Sequence, residues 1–434
     1  MKPTRLEKVY IVLLMIIFGG IVLHAPLSVW LGTIFPDYSL IIKAWKEIIM
    51  LVAVPIALAV VTRRGLWREL LHDWLMVIIA LFALLHLILL GVYHLGFQSA
   101  AAGLMIDLRY FLFFCLVYVA IKVLPGYRRR MIQIGVIGAF IVVGFATVQL
   151  FLPADILSHI GYNKDTTIAP YLTVDKNPAF IRENSTLRGP NPLGAYAVMV
   201  LGLLAAALIR MRSRLNESGF RIMAGFLAVC SIVSLWVSYS RSALVAGIVA
   251  IVVGIIASSR RKVPRKIWIT AGVAMLVLVG VVFAARTSNF VSNVILHENP
   301  NGGSSITSND GHVSSLVTGW YQFVHQPFGA GVGSTGSASL FSAAPEIVEN
   351  QYLFVAHEAG WIGLLLYMLI SVIVLSRLWH RRKDWLALGV FAGGVGLMGI
   401  GLLLPVFTDD TVSIVWWGLA AVALGGDYAR RKTK

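Results

Sequence analysis

Apolar stretches of about 20 residues recur along nearly the whole chain, and no other feature restricts the fold so strongly. At 1.5 Å rise per residue such a stretch spans the roughly 30 Å hydrocarbon layer of a bilayer. Lipid offers no hydrogen bonds, so a spanning backbone must satisfy its own polar groups, as a helix or as a closed barrel. Barrel strands alternate in polarity and these stretches do not, which predicts an all-α polytopic membrane protein. Composition agrees, with 58% hydrophobic and 13% charged residues among 434.

The stretches run approximately over 10–32, 39–61, 74–93, 103–124, 131–152, 192–209, 222–239, 242–258, 267–285, 350–375, 386–406 and 411–425, about twelve transmembrane helices. No repeat array, low-complexity tract or soluble domain interrupts them, so residues 1–434 are read as a single transmembrane domain. The first stretch exceeds a secretory apolar region of about 7–15 residues and ends without a small-residue cleavage site, so it is expected to stay as an anchor. Cys115 and Cys230 lie inside apolar stretches, where a thiol packs as a small hydrophobe; neither a disulfide nor a thiolate metal site is expected.

A net charge of +16 suggests nucleic acid only until the charges are located. Most of the 36 Lys and Arg fall in alternate connections: Arg63, Arg64 and Arg68; Arg128 to Arg130; Arg210 to Arg221; Arg260 to Lys266; Arg377 to Lys383; and both termini. The positive-inside rule puts these on the cytoplasmic side, so both termini are inside and the spans are even in number. Two long connections then face outward, 153–191 and 286–349. Lys43, Lys46, Arg109, Lys164, Lys176, Arg182, Arg188, Arg241 and Arg286 break the pattern and require a reason to be there.

Arg188 leads into Gly-Pro-Asn-Pro-Leu-Gly at the start of a span, where unpaired helix N–H groups favour an anion; alternatively it is a surface arginine. Arg241 sits in the tight turn Ser238-Tyr-Ser-Arg-Ser242 at the membrane boundary, where a charge lines a cavity or snorkels to the interface. Arg109 has Glu47 and Asp107 as prospective partners, and Lys43 with Glu47 forms an i, i+4 pair, a structural reading. In the second loop, Leu316, Val317, Trp320, Phe323 and Val324 recur at helical spacing before Pro327. Gly331, Gly333 and Gly336 mimic a dinucleotide fingerprint without the strand it needs; a phosphate-facing turn is the alternative. Glu349 is a base, an arginine partner or a helix cap, and His312 is an acid or base or simply solvated. Asp409-Asp410 lacks the spacing of a metal pair. Arginines with a carboxylate and a histidine, on one face of a lipid-embedded bundle, suit an amphiphilic anion.

These segments, together with His325-Gln-Pro-Phe-Gly-Ala-Gly-Val-Gly-Ser334, Glu349-Asn-Gln-Tyr-Leu353 and Glu358-Ala-Gly-Trp-Ile-Gly363, resemble the O-antigen ligase and O-antigen polymerase family of bacterial membrane glycosyltransferases, most strongly over about 185–370. The resemblance implies a GT-C type enzyme of the cytoplasmic membrane that moves a glycan, with inversion, from a polyprenyl (undecaprenyl) diphosphate on the outer leaflet to an acceptor hydroxyl on a glycan or glycolipid. It implies no cofactor, no metal and no nucleic acid. By motif, Arg188 and Arg241 would bind the diphosphate with Arg286 as a third. Family ligases carry histidine, the proposed base, where this chain has Glu349. A carboxylate flanked by arginines is a weakened base. Glu349 or His312 therefore takes the proton, or Glu349 only orients the acceptor, which weakens the lipid A core ligase reading and favours a surface-polysaccharide polymerase or a related surface-glycan ligase. A transporter or lipid-glycan flippase is the competing reading, but the 286–349 loop and the lack of half-to-half symmetry argue against it.

Overall fold

The computed structural model describes residues 3–259, 284–285, 288, 291–296, 308–342 and 344–427. The apolar stretches become helices α1 (Arg5–Ile34, tightened to a 3-10 turn over Ile21–Leu23), α2 (Trp45–Arg64), α3 (Trp74–Val92), α4 (Phe97–Val123), α5 (Arg128–Gln149), α6 (Pro190–Arg210), α7 (Ser218–Val237) and α8 (Arg241–Ser258). After them come α9 (Ser308–His325), α10 (Gln351–His380), α11 (Trp385–Ile400) and α12 (Asp410–Leu424). Among the described residues, nine of these are long and apolar enough to cross a membrane, and α11 and α12 are shorter apolar helices. The chain is thus an all-α polytopic membrane protein. The expected span at 267–285 lies almost wholly outside the described residues.

At the end carrying the arginine-rich turns, acidic residues both start helices and pair with arginines. Glu7 completes a capping box with Thr4 and takes a two-pronged bond from Arg64, at 2.6 and 2.8 Å, tying α1 to α2. Asp73 caps α3 and receives Arg377 of α10 at 2.6 and 3.0 Å; Asp384 caps α11 and receives Arg128 of α5 at 2.7 Å. Such bonds fix which helix ends meet, because charge-assisted pairs are directional where apolar contact is not.

Within the bundle, lipid tails are as apolar as leucine, so helices associate by close packing of small residues rather than by expelling water. Helices α6 and α11 meet this way: a Cβ on Gly202 would lie 2.7 Å from the Gly393 nitrogen, and one on Gly389 would lie 2.7 Å from Cα of Leu203. Helix α12 is buried along its whole length, with Trp416 and Trp417 fully enclosed and Trp417 edge-on to Phe111 and Phe114.

Asp410 opens α12 and gathers a buried ionic cluster. Its carboxylate lies 2.9 Å from both Lys46 Nζ and His24 Nε2 and also pairs with Arg109, which is 3.9 Å from Glu47. Trp45 Nε1 donates to His24 Nδ1 at 3.0 Å. Lys46 Nζ also lies 3.2 Å from His24 Nε2, so the ring is held between the Trp45 indole, the Lys46 ammonium and the Asp410 carboxylate. Arg109 thus takes Glu47 and Asp410 rather than Asp107, and Glu47 pairs with Lys46 at 3.1 Å instead of Lys43, because the helix breaks at Ala44.

The long connections emerge at the end opposite the arginine-rich turns. The first holds the strands found among the described residues: an antiparallel hairpin, β1 (Leu172–Val174) with β2 (Asn177–Arg182), turned by Asp175 and Lys176 at positive φ. The second holds α9, in the place predicted by its apolar spacing.

Candidate active site

Hairpin, α8, α9 and α11 surround a cavity of about 680 Å³. Its floor is apolar, from Val245 and Val249 of α8, Val395 of α11 and Leu402; its polar wall is Arg182, Asn191, Arg241 and His312. Among the described residues, no carboxylate lines it.

Arg241, the first residue of α8, reaches this wall because Tyr239 adopts φ 46°, a left-handed conformation costly for a side chain with a Cβ. The hairpin holds that turn in place. Glu183 N–H donates to the Val237 carbonyl at 3.1 Å, and Arg182 Nε donates to the Ser238 carbonyl at 2.8 Å. Arg182 Nη2 donates to Asn191 Oδ1 at 2.6 Å, reaching the first turn of α6. Burial pushes the Arg182 guanidinium down to about 10, with the Asp175 charge opposing this and the Arg241 charge adding to it, so it stays cationic at neutral pH. Two guanidiniums thus share one partly desolvated wall.

At the same cavity, His312 Nδ1 of α9 lies 2.7 Å from Glu349 Oε2. Glu349 stays next to α9 because its N–H donates to Ser315 Oγ at 2.9 Å. The His312 imidazole, 2.7 Å away, holds the Glu349 carboxyl below its usual range, against burial, which raises it. The expected lowering is present, but a histidine causes it rather than arginines. Glu349 does not cap α10: Asn350 does, accepting from Tyr352 and Leu353 N–H at 2.9 Å.

Other expectations change. Arg188 is exposed and does not line the cavity; its charge instead acts on Asp409 and Tyr162. Arg286 lies outside the described residues. The glycine-rich turn cannot cradle a phosphate, since Ala330 and Gly331 N–H groups are already bonded to the His357 and Glu358 carbonyls at 2.6 and 3.1 Å. Arg182, by contrast, carried only the sequence signal of being a cation away from the basic turns. Among the described residues, no three His, Cys, Asp or Glu are grouped to hold a metal.

Fold and cavity together define a polytopic helical membrane protein whose site pairs cations with an apolar floor, suited to a lipid-linked anion. Residues 226–368 match the Wzy_C family model, described as O-antigen ligase, which relates the chain through that segment to the O-antigen ligase and polymerase family. The matched segment runs from α7 into α10 and contains Arg241, His312 and Glu349, whereas Arg182 and Arg188 precede it. No curated protein matches the chain. The family match supports glycosyltransferase activity of the O-antigen ligase or polymerase type.

Proposed function

We propose that this protein transfers a glycan from a polyprenyl diphosphate carrier to an acceptor hydroxyl at the outer face of the bacterial cytoplasmic membrane, with inversion and without a metal. The observation that carries this reading is the convergence of Arg182, Arg241 and His312, the last 2.7 Å from Glu349, on one cavity with an apolar floor.

The chemistry follows from the geometry. Arg182 and Arg241 hold the diphosphate while the first isoprene units lie over the apolar floor. Glu349, kept ionised, orients a neutral His312 by accepting a hydrogen bond from Nδ1–H, which leaves the Nε2 lone pair for the acceptor hydroxyl. The hydroxyl oxygen attacks the anomeric carbon from the face opposite the diphosphate. Its proton passes to His312 Nε2, and the bond from the anomeric carbon to the phosphate oxygen breaks. The leaving diphosphate gains negative charge, which the two guanidiniums stabilise because they are already oriented and partly desolvated. The histidine–carboxylate pair thus supplies a base although position 349 itself is glutamate. Arg188 acts at a distance, and Arg286 keeps the place that the family resemblance gave it.

Purified protein given polyprenyl diphosphate glycan and acceptor should release one polyprenyl diphosphate per glycosidic bond. Arg241→Ala and His312→Ala should each lose about 100-fold or more in kcat, the usual scale for a charge-stabilising donor or a general base. Near-normal turnover in both would reject the reading. Movement of the carrier across a vesicle bilayer with no bond formed would favour a flippase.

A further inference from the structure

Helix α10 is broken at Gly360, where φ is 66° and ψ −168°. The break frees backbone groups inside the bundle, and the second long loop fills it. Ala330 and Gly331 donate to the His357 and Glu358 carbonyls, and Trp361 N–H donates to the Pro327 carbonyl at 2.9 Å. The loop also runs tight against α4, since a Cβ on Gly333 would lie 2.1 Å from the Ser99 carbonyl oxygen.

Beside the break lies the Glu358 side chain, fully enclosed, which the transfer chemistry leaves unused. Its Oε1 accepts from Thr335 N–H at 3.4 Å, and Asp107 of α4 lies beside its carboxyl. His86 of α3 lies 3.2 Å from Asp107, with Nδ1 at 2.9 Å from the Phe82 carbonyl.

From Thr335 the connection continues to the candidate base. Thr335 Oγ1 donates to the Glu346 carbonyl and accepts from Val348 N–H, both at 3.1 Å, and Val348 directly precedes Glu349. Gly336 N–H and Ser339 Oγ also donate to the Glu346 carbonyl, each at 2.8 Å. We propose that Glu358 is a positioning residue: enclosed beside the helix break, it anchors Thr335 and thereby sets the 346–348 segment so that Glu349 meets His312. This rests on the assignment of His312 and Glu349 above, but it concerns geometry and is tested apart from catalysis.

The test uses a chain in which Cys115 and Cys230 are serine and positions 312 and 349 carry His312→Cys and Glu349→Cys, treated with a short bifunctional thiol reagent. Glu358→Gln can donate to Asp107 and accept from Thr335, and should cross-link within about twofold of the parent. Glu358→Ala removes the bond to Thr335 N–H and Thr335→Val the two bonds of Thr335 Oγ1, and each should slow cross-linking about tenfold, since an unpaired buried N–H drives local rearrangement. In the otherwise native chain the same two substitutions should lower kcat for transfer with little change in KM, and Glu358→Gln should restore it. Parent-like cross-linking in monodisperse Glu358→Ala and Thr335→Val overturns the proposal. If Glu358→Ala does not fold, Thr335→Val decides alone. Slowed cross-linking with unchanged transfer would uphold the positioning and reject the assignment of Glu349.

Discussion

Replacing Arg182 separates this account from one built on the sequence alone, which favours Arg188. A unit charge about 5 Å from a diphosphate oxygen, at an effective dielectric near 20, interacts by about 3 kcal/mol. Removing it from the transition state therefore slows transfer by roughly 100-fold, at about 1.4 kcal/mol per tenfold. Arg182→Ala also releases the bonds to Ser238 and Asn191, so the turn presenting Arg241 loosens. Its loss should equal or exceed that electrostatic figure. Arg182→Lys keeps the charge but not the planar fork that spans two acceptors, and should fall between, at about 10-fold. Arg188→Ala, an exposed position off the cavity, should stay within about threefold, in keeping with weak screened surface charges. The assay is single-turnover transfer from polyprenyl diphosphate glycan, with protein amount and monodispersity matched. The reasoning is refuted if Arg182→Ala turns over normally while Arg188→Ala does not.

Other consequences concern the scaffold and pH. Glu349 titrates below its unfolded value, so its contribution to stability is complete above the ordinary carboxylate range near 4.5 and is lost as pH falls through the lower folded value; the Tm gap between wild type and Glu349→Gln should hold steady from pH 7 to about 5 and close below that. Asp410→Asn leaves Lys46 and Arg109 without their shared buried carboxylate and should cost about 3–5 kcal/mol, seen as a large fall in Tm in detergent. Gly333→Ala forces a Cβ into the Ser99 carbonyl at φ +87° and should destabilise by roughly 2 kcal/mol or more, whereas Gly311→Ala, with nothing within 4 Å, should not.

The membrane fold was legible because hydrophobic length and cation placement are one-dimensional properties that lipid reads directly. The helix α9 and the pairing of outlying charges with one another followed the same logic. Site assembly was less visible. Arg241 and His312 were singled out separately, yet only the fold shows that they face one cavity, and that Glu349 belongs to His312 rather than to an arginine. Arg182 was missed because its role depends on a hairpin closed by Asp175 and Lys176 in left-handed conformations, for which an all-α pattern gives no cue. Arg188 stands beside a helix start and in the family-like motif, but closeness along the chain does not decide which way a loop residue faces, and it is exposed and off the cavity. Glu358 stood in a recognised motif with no assigned role, since a buried acid acquires meaning only when Asp107 and Thr335 are brought to it.

Photo-crosslinking tests the central claim most directly. A polyprenyl diphosphate carrying a photoreactive group in its first isoprene units, irradiated with the protein in bilayers and mapped by mass spectrometry, should label the cavity floor around Val245, Val249 and Leu402, and excess inorganic pyrophosphate or Arg241→Ala should suppress the labelling. Labelling confined to the separate apolar cavity between α2, α3 and α4, or indifferent to Arg241, would contradict the account.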